Sequence, residues 1–264
     1  MTMKSAAAAL LLLLAVAAPP RLAAQENAYD VLGKALVPIA DIFAPDENGI
    51  PVPHGLVLDA HLLSASKLPP ALQGQAVHVA IMTPDKLLIQ APIAGQMITA
   101  CRDQDVLWVS PGSQLQGWLD AFAARPQKKK KRAEDAARVL GPMVLPVSSS
   151  ALVFLPVLFQ VADAGTETIG GTSCRVLDVQ LLQQLEKSLH AQGWTARVWI
   201  GPDYGIVQIA LTGPDWSGTI AIDKLALPAL LPDATFQPPA ADVLKLTAGE
   251  FLGLLGQVGR QGAQ

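Results

Sequence analysis

The feature that most constrains this chain is a series of short apolar runs separated by a few turn-forming residues. Leu56–Leu63, Ala76–Met82, Lys86–Gln90, Gln96–Cys101 and Val106–Val109 follow one another, broken at Pro84-Asp85, Arg102–Asp105 and Pro111-Gly112. Each run has strand length and strand composition. Links this short leave no room for crossover helices, so neighbouring runs are expected to pair antiparallel. The last third repeats the pattern. A turn at Gly170-Gly171 leads into Ser173–Val179, and Thr195–Ile200, Ile206–Leu211 and Gly218–Leu225 follow, divided by Gly201-Pro202-Asp203 and Gly213-Pro214-Asp215. Two meanders of this kind predict a sheet protein, with turn residues of the right chemistry between the strands.

Helical patterns fill the remainder. Val31, Leu32, Leu36, Ile39 and Phe43 recur at helical spacing over residues 28–44, where Pro38 kinks or divides the helix. Asp46–Gly49 reads as a turn, because the alternating ligand spacing of a calcium loop is missing. Leu115–Ala124 reads as a helix. The basic block Lys128–Arg132 that follows reads as a solvated loop or helix start, with anionic lipid headgroups or an acidic partner as the alternative. Ser148-Ser149-Ser150 supplies N-cap chemistry for the apolar stretch Ala151–Phe159, which reads as a core or lid helix despite Pro156. Residues 181–191 look helical, and residues 247–258 read as a last apolar helix or tail.

The first residues set an address. Lys4 precedes an unbroken apolar run from Ala6 to Ala18, followed by Pro19-Pro20 and then small residues. That run is shorter than the roughly 20 residues a membrane span needs and fits a secretory signal, with cleavage after Ala24 expected and after Ala18 as runner-up. No cysteine lies near either point, so a lipid-modification signal is absent there. Loss of Lys4 and Arg21 moves the net charge from −3 to −5, because the 22 acidic residues all remain. An acidic balance argues against nucleic acid as a partner, since phosphate binding needs surplus Lys and Arg on one face. Cys101 and Cys174 permit one disulfide in an oxidising compartment, or two separate buried thiols.

Chemistry is sparse. His54, His61, His78 and His190 form no HExxH motif and no zinc spacing with the cysteines. There is no GxSxG elbow and no phosphate-binding loop. Neither catalysis nor a cofactor is called for by these residues. The apolar content is high, with 51% hydrophobic residues against 16% charged ones. Either an internal apolar cavity or a plain core rich in Ala and Leu would account for it.

Three stretches carry a family resemblance. Asp103–Pro111, the succession from Gly171 through Cys174–Asp178 and Ala196–Asp203 to Ile206–Ile209, and Leu230–Ala240 resemble strands and an ending of the periplasmic outer-membrane lipoprotein carriers, the LolA-like proteins. Their order spans nearly the whole mature chain. Aromatic residues at only 5%, the cysteine pair and the basic block depart from that pattern and point to a divergent member. The resemblance implies an α+β fold, a strongly curved antiparallel sheet forming an incomplete β-barrel, with helices covering its concave side. It divides the chain into a signal peptide at 1–24, a half-barrel domain at 25–242 and a C-terminal helix or tail at 243–264.

It further implies a non-enzymatic carrier of the periplasm, most simply a monomer, holding acyl chains of a lipid or an acylated lipoprotein and making transient contact with membrane-associated proteins. A sensor or interaction module on the same fold is the first alternative, and an uncharacterised hydrolase the second. Inward-facing side chains would be Leu58, Val79, Ile81, Leu88, Trp108, Val198, Ile209, Ile220 and Ile222. The carriers use an arginine inside the barrel to hold the lid, and Arg102, Arg175 and Arg197 are the candidates for that role.

Overall fold

Asn27 opens the first helix, its side chain accepting a hydrogen bond from the Tyr29 N–H at 3.1 Å. The helix, α1 (Ala28–Asp41), buries Val31, Leu32 and Ala35 along one stripe, as the periodicity expects. The computed structural model describes residues 26–66, 73–93, 95–113, 115–116, 141–189 and 191–247. The export signal, the basic block, most of the expected helix 115–124 and residues 248–264 lie outside the described residues.

The first meander is present as β1 (Gly55–Ala65), β2 (Ala76–Met82), β3 (Lys86–Ile93), β4 (Gln96–Asp103) and β5 (Val106–Ser110). The second consists of β6 (Phe159–Ile169), β7 (Thr172–Leu181), β8 (Thr195–Ile200), β9 (Ile206–Thr212) and β10 (Ser217–Ala226), with the short helix α2 (Gln183–Ser188) after β7. Gly170 and Gly171 both have positive φ, which the two-residue link between β6 and β7 requires. A last strand, β11 (Leu244–Leu246), falls in the stretch expected to be a C-terminal helix or tail. It pairs with β5.

All eleven strands form one sheet in the order β11-β5-β4-β3-β2-β1-β10-β9-β8-β7-β6. Every neighbouring pair is antiparallel. Pairing of β1 with β10 joins the two meanders. The sheet is curved and not closed, and among the described residues β11 and β6 are its edges.

Two local expectations are corrected. Residues 149–158 form a 3-10 segment rather than an α-helix, with Pro156 inside it. Ser148 makes no capping bond, and its hydroxyl lies 3.1 Å from that of Ser150. The apolar stretch also ends one residue early, because Phe159 starts β6. Most of β6 is solvent-exposed, as an edge strand can be, and it lacks the alternation that makes a strand legible. The 3-10 segment packs on α1 through the buried Leu152 and Pro156. A Cβ on Gly33 would lie 3.1 Å from the Pro156 ring, so glycine permits this close approach.

The cysteines are two separate thiols, not a bridge. Cys101 on β4 packs with Leu88, Trp108 and Phe236, whereas Cys174 on β7 packs with Val176 and Trp199. Seven steps along the sheet order separate their strands. The buried Cys101 thiol faces the Phe236 carbonyl at 3.4 Å, and burial pushes its pKa up to about 12.

Candidate functional site

Residues directly opposite each other in an antiparallel pair project to the same face. Cross-strand partners therefore trace rows across the sheet. One row runs Leu177, Val198, Ile209, Ile220, Leu62 from β7 to β1. A second runs Leu58, Val79, Ile89, Ala100, Val109, Leu244 from β1 to β11. Leu58 and Leu62 are four residues apart on one strand, so both rows share a face. A third row on that face is Leu56, Ile81, Leu87, Arg102, Leu107, Leu246.

This face is covered at both ends and half open in the middle. Over β7–β9, α1 seals Leu177, Val198 and Ile200 into one core, with Ile209 and Ile222 packed at its margin. Over β5 and β11, Leu107, Val109 and Leu246 are buried together, with Leu115 against them. Between these clusters Leu58, Leu62, Val77, Val79, Ile89 and Ile220 are only half-buried and belong to neither. They present a continuous aliphatic surface across β10, β1, β2 and β3. No charged side chain lies among the cross-strand partners just named at this centre, so the surface has apolar affinity and no polar specificity.

The opposite face is built differently. Over β2–β5 it buries Ala80, Met82, Leu88, Cys101 and Trp108 beneath Phe236, which sits on the 3-10 turn Asp233–Phe236. The Trp108 indole N–H donates to the Phe236 carbonyl at 3.1 Å. Leu88 and Trp108 are thus kept apart from the other seven residues expected inside the barrel. Leu58, Val79, Ile81, Val198, Ile209, Ile220 and Ile222 do share the helix-covered face, although Val198 is sealed there by α1. Leu62, Val77 and Ile89 belong to the open centre and were not anticipated. The strict alternation Val77, Val79, Ile81 around His78 is the signal that marks Val77.

The same opposite face carries paired polar groups. His78 Nδ1 lies 2.6 Å from the Asp59 carboxylate, and His61 Nδ1 lies 2.8 Å from that of Asp223. A cavity of about 720 Å³ opens against β6–β9, with polar residues such as Asp178, Gln180 and Arg197 alternating with apolar ones such as Val161, Val179 and Trp199 in its lining. Its charges neutralise each other, since Arg197 grips Asp178 through two hydrogen bonds of 2.7 and 3.0 Å. That contact holds the Asp178 carboxyl below its ordinary range. Among the described residues no cluster of His, Cys, Asp and Glu could hold a metal ion, and no helix is long and apolar enough to cross a membrane.

The three candidate arginines have different duties. Arg175 ties β7 to the edge strand β6 through Asp163, at 2.6 Å. Arg197 belongs to the polar cavity. Arg102 is buried on the helix-covered face, and its guanidinium donates to the Gly141 carbonyl at 2.8 Å and to the Gln104 carbonyl at 3.1 Å. From Gly141 the chain continues as a strap. The Met143 N–H donates to the Pro84 carbonyl and the Leu145 N–H to the Phe43 carbonyl, each at 2.7 Å. The strap then enters the 3-10 segment that packs on α1. Of the three arginines, Arg102 is the one that grips a covering segment.

No protein-family model and no curated protein matches this sequence. Several solved structures align to it in part. The lipoprotein LppX of Mycobacterium tuberculosis aligns at 12% identity and a TM-score of 0.39, covering 75% of this chain and 93% of that one. The MucB of Pseudomonas aeruginosa, solved in complex with MucA, aligns at 10% identity and 0.40, covering 84% of this chain and 64% of that one. A LolA superfamily protein of Nitrosomonas europaea aligns at 10% identity and 0.28, covering 81% and 98%.

Proposed function

We propose that this chain is a non-catalytic carrier of the cell envelope that holds acyl chains, of a lipid or an acylated lipoprotein, on the half-open centre of its sheet. One observation carries this reading. Aliphatic side chains from four adjacent strands, β10, β1, β2 and β3, form a continuous surface that neither α1 nor the β5–β11 cluster covers. An acyl chain laid on it is removed from water along its length, at about 25 cal/mol per Å² of apolar surface buried. The Arg102-held strap passes the Pro84 turn between β2 and β3, at one end of these strands.

The compartment is part of the same reading. Residues 1–24 direct export and are removed after Ala24, leaving residues 25–242 as the half-barrel unit, monomeric and free to diffuse. N-terminal sequencing of the protein recovered from the envelope should begin at Gln25. Native mass spectrometry of that material tests the ligand. Co-purified acyl species, released when the protein unfolds, support the carrier. Ligand-free protein that also fails to take up a fluorescent fatty acid would remove the proposal.

A further inference from the structure

Two tryptophans meet at one end of the half-open surface. Trp194 precedes β8 and Trp216 precedes β10, and their ring centroids lie 6.0 Å apart with the planes inclined by 38°. Both rings occupy room that two glycines leave. A Cβ on Gly218 would lie 2.7 Å from the Trp216 indole, and one on Gly213 would lie 3.0 Å from that of Trp194. Gly218 pairs with Ala65 on β1 and stands two residues before Ile220, so its vacant side-chain direction is the face of Leu62 and Ile220. The Trp216 ring therefore lies on that face, one row beyond the open aliphatic rows. It stands at the end of β1 and β10 remote from the Pro84 turn, which follows Met82, the partner of Gly55. Backbone bonds hold the pair in place. The Gly213 N–H donates to the Trp216 carbonyl at 2.7 Å, and the Trp194 N–H to the Ala191 carbonyl at 3.2 Å.

The polar edges of these two rings are open, unlike those of the core tryptophans. The Trp108 indole N–H donates to the Phe236 carbonyl, and the Trp199 indole N–H donates to the Glu167 carboxylate at 2.8 Å. Trp194 is 38% exposed and Trp216 is half-buried, and neither indole N–H has a hydrogen-bond partner among the described residues. An indole placed this way is apolar toward the sheet and a donor toward water. It suits the point where a hydrocarbon chain meets a carbonyl, because the ring covers the first methylenes while the N–H donates to the oxygen. At the other end of these strands the strong donor is already engaged. Arg102 is buried there and bonded to the Gly141 and Gln104 carbonyls.

We propose that Trp194 and Trp216 bind the carbonyl end of the guest acyl chain. The chain then lies with its ester or amide at this rim and its methyl end toward the Pro84 turn. The inference rests on the carrier reading and adds the direction of the guest and the two residues that set it. It also narrows the guest's chemistry: two neutral donors fit an ester or amide carbonyl, which accepts without bringing a charge onto the aliphatic rows.

Bromine on the guest reads its direction, since it quenches indole emission only at close approach. The unaltered protein and its Trp194→Phe/Trp216→Phe variant are titrated with long-chain fatty-acid methyl esters brominated either near the carbonyl or near the methyl end. Displacement of a fluorescent fatty acid measures binding independently. The emission that the variant lacks, taken as the difference between the two proteins, should be quenched by the carbonyl-end bromine and much less by the methyl-end bromine. The variant should bind both esters about threefold to tenfold more weakly, since it keeps aromatic rings but loses both N–H donors. Phenylalanine still covers the glycines, so the melting temperature should hold. If it falls, the single Trp194→Phe variant, altered at the more exposed ring, is read in the same way. Equal quenching by the two esters, stronger quenching from the methyl end, or unchanged affinity in the variant overturns the assignment and leaves the carrier reading standing. If neither the esters nor the fluorescent fatty acid binds the unaltered protein, the carrier reading falls and takes this one with it.

Discussion

The two halves of the sheet carry their larger cores on opposite faces. In the β7–β9 half the larger core lies under α1, on the face of Leu177, Val198 and Ile200. In the β2–β5 half the aromatic core lies on the other face, beneath Phe236. One continuous sheet therefore carries its larger core on one side in one half and on the other side in the other, with smaller clusters on the remaining faces. Around β1, β2 and β10 the aliphatic rows of the helix-covered face lose α1 before they gain the β5–β11 cluster. The half-open surface follows from where two covers stop, and no cavity-forming motif was needed to create it.

The largest effect should come from the cover of the β2–β5 half. Phe236→Ala removes a fully buried ring and should cost about 3–5 kcal/mol, against about 2–5 kcal/mol for Leu32→Ala under the other cover. Urea unfolding followed by tryptophan fluorescence reads both halves, because Trp108 reports on one and Trp199 on the other. A single shared transition would show that the halves fold as one unit despite their opposite cores. Two transitions would split them into separate folding units.

Next in size is Arg102→Ala. It removes two charge-assisted hydrogen bonds, one of which pins the strap, and should cost about 1.5–3 kcal/mol with faster proteolysis near Gly141. Substitutions on the open centre should divide stability from binding. Val79→Asp should change stability by only about 1 kcal/mol, because the site is half-buried, while lowering fatty-acid uptake by about tenfold or more. An equal loss of uptake from a conservative change under α1, such as Val198→Ala, would place the ligand elsewhere.

The smallest effect is electrostatic, at the β6 edge. The Gly165 N–H, and then Arg175, hold the Asp163 carboxyl below its ordinary range. A carboxylate favoured in the folded state contributes stability above its unfolded pKa, and that stability is lost as pH falls through the lower folded value. Asp163→Asn should therefore cost at most about 1 kcal/mol at neutral pH, since the pair is partly exposed. The difference should shrink as pH falls below the ordinary carboxylate range and vanish once Asp163 is protonated in the folded state as well. Thermal unfolding across pH measures it.

Much of this fold was legible because antiparallel meanders write themselves locally. Nearly every strand except β6 and β11 follows from short apolar runs and the glycines or prolines between them. Edge strands escaped for a physical reason: with one neighbour and little burial, β6 has no obligation to alternate, and β11 is only three residues long. The site was half legible. Alternation puts Val79 and Ile81 on one face, but which face is covered depends on contacts remote in sequence, such as Phe236 above Trp108. Leu88 and Trp108 were assigned inward for that reason. Arg102 was one of three candidates, and only the carbonyl of Gly141 singles it out. The cysteines show the same limit, since chemistry allowed a bridge that the sheet order forbids.

An unclosed sheet has one further consequence. Closing a barrel fixes its strand tilt, its stagger and hence its girth. Among the described residues β11 and β6 are not bonded to each other, so the two margins can move apart or together without breaking a ladder hydrogen bond. On the carrier reading proposed above, this would let the open face adjust to acyl chains of different bulk at little cost to the framework.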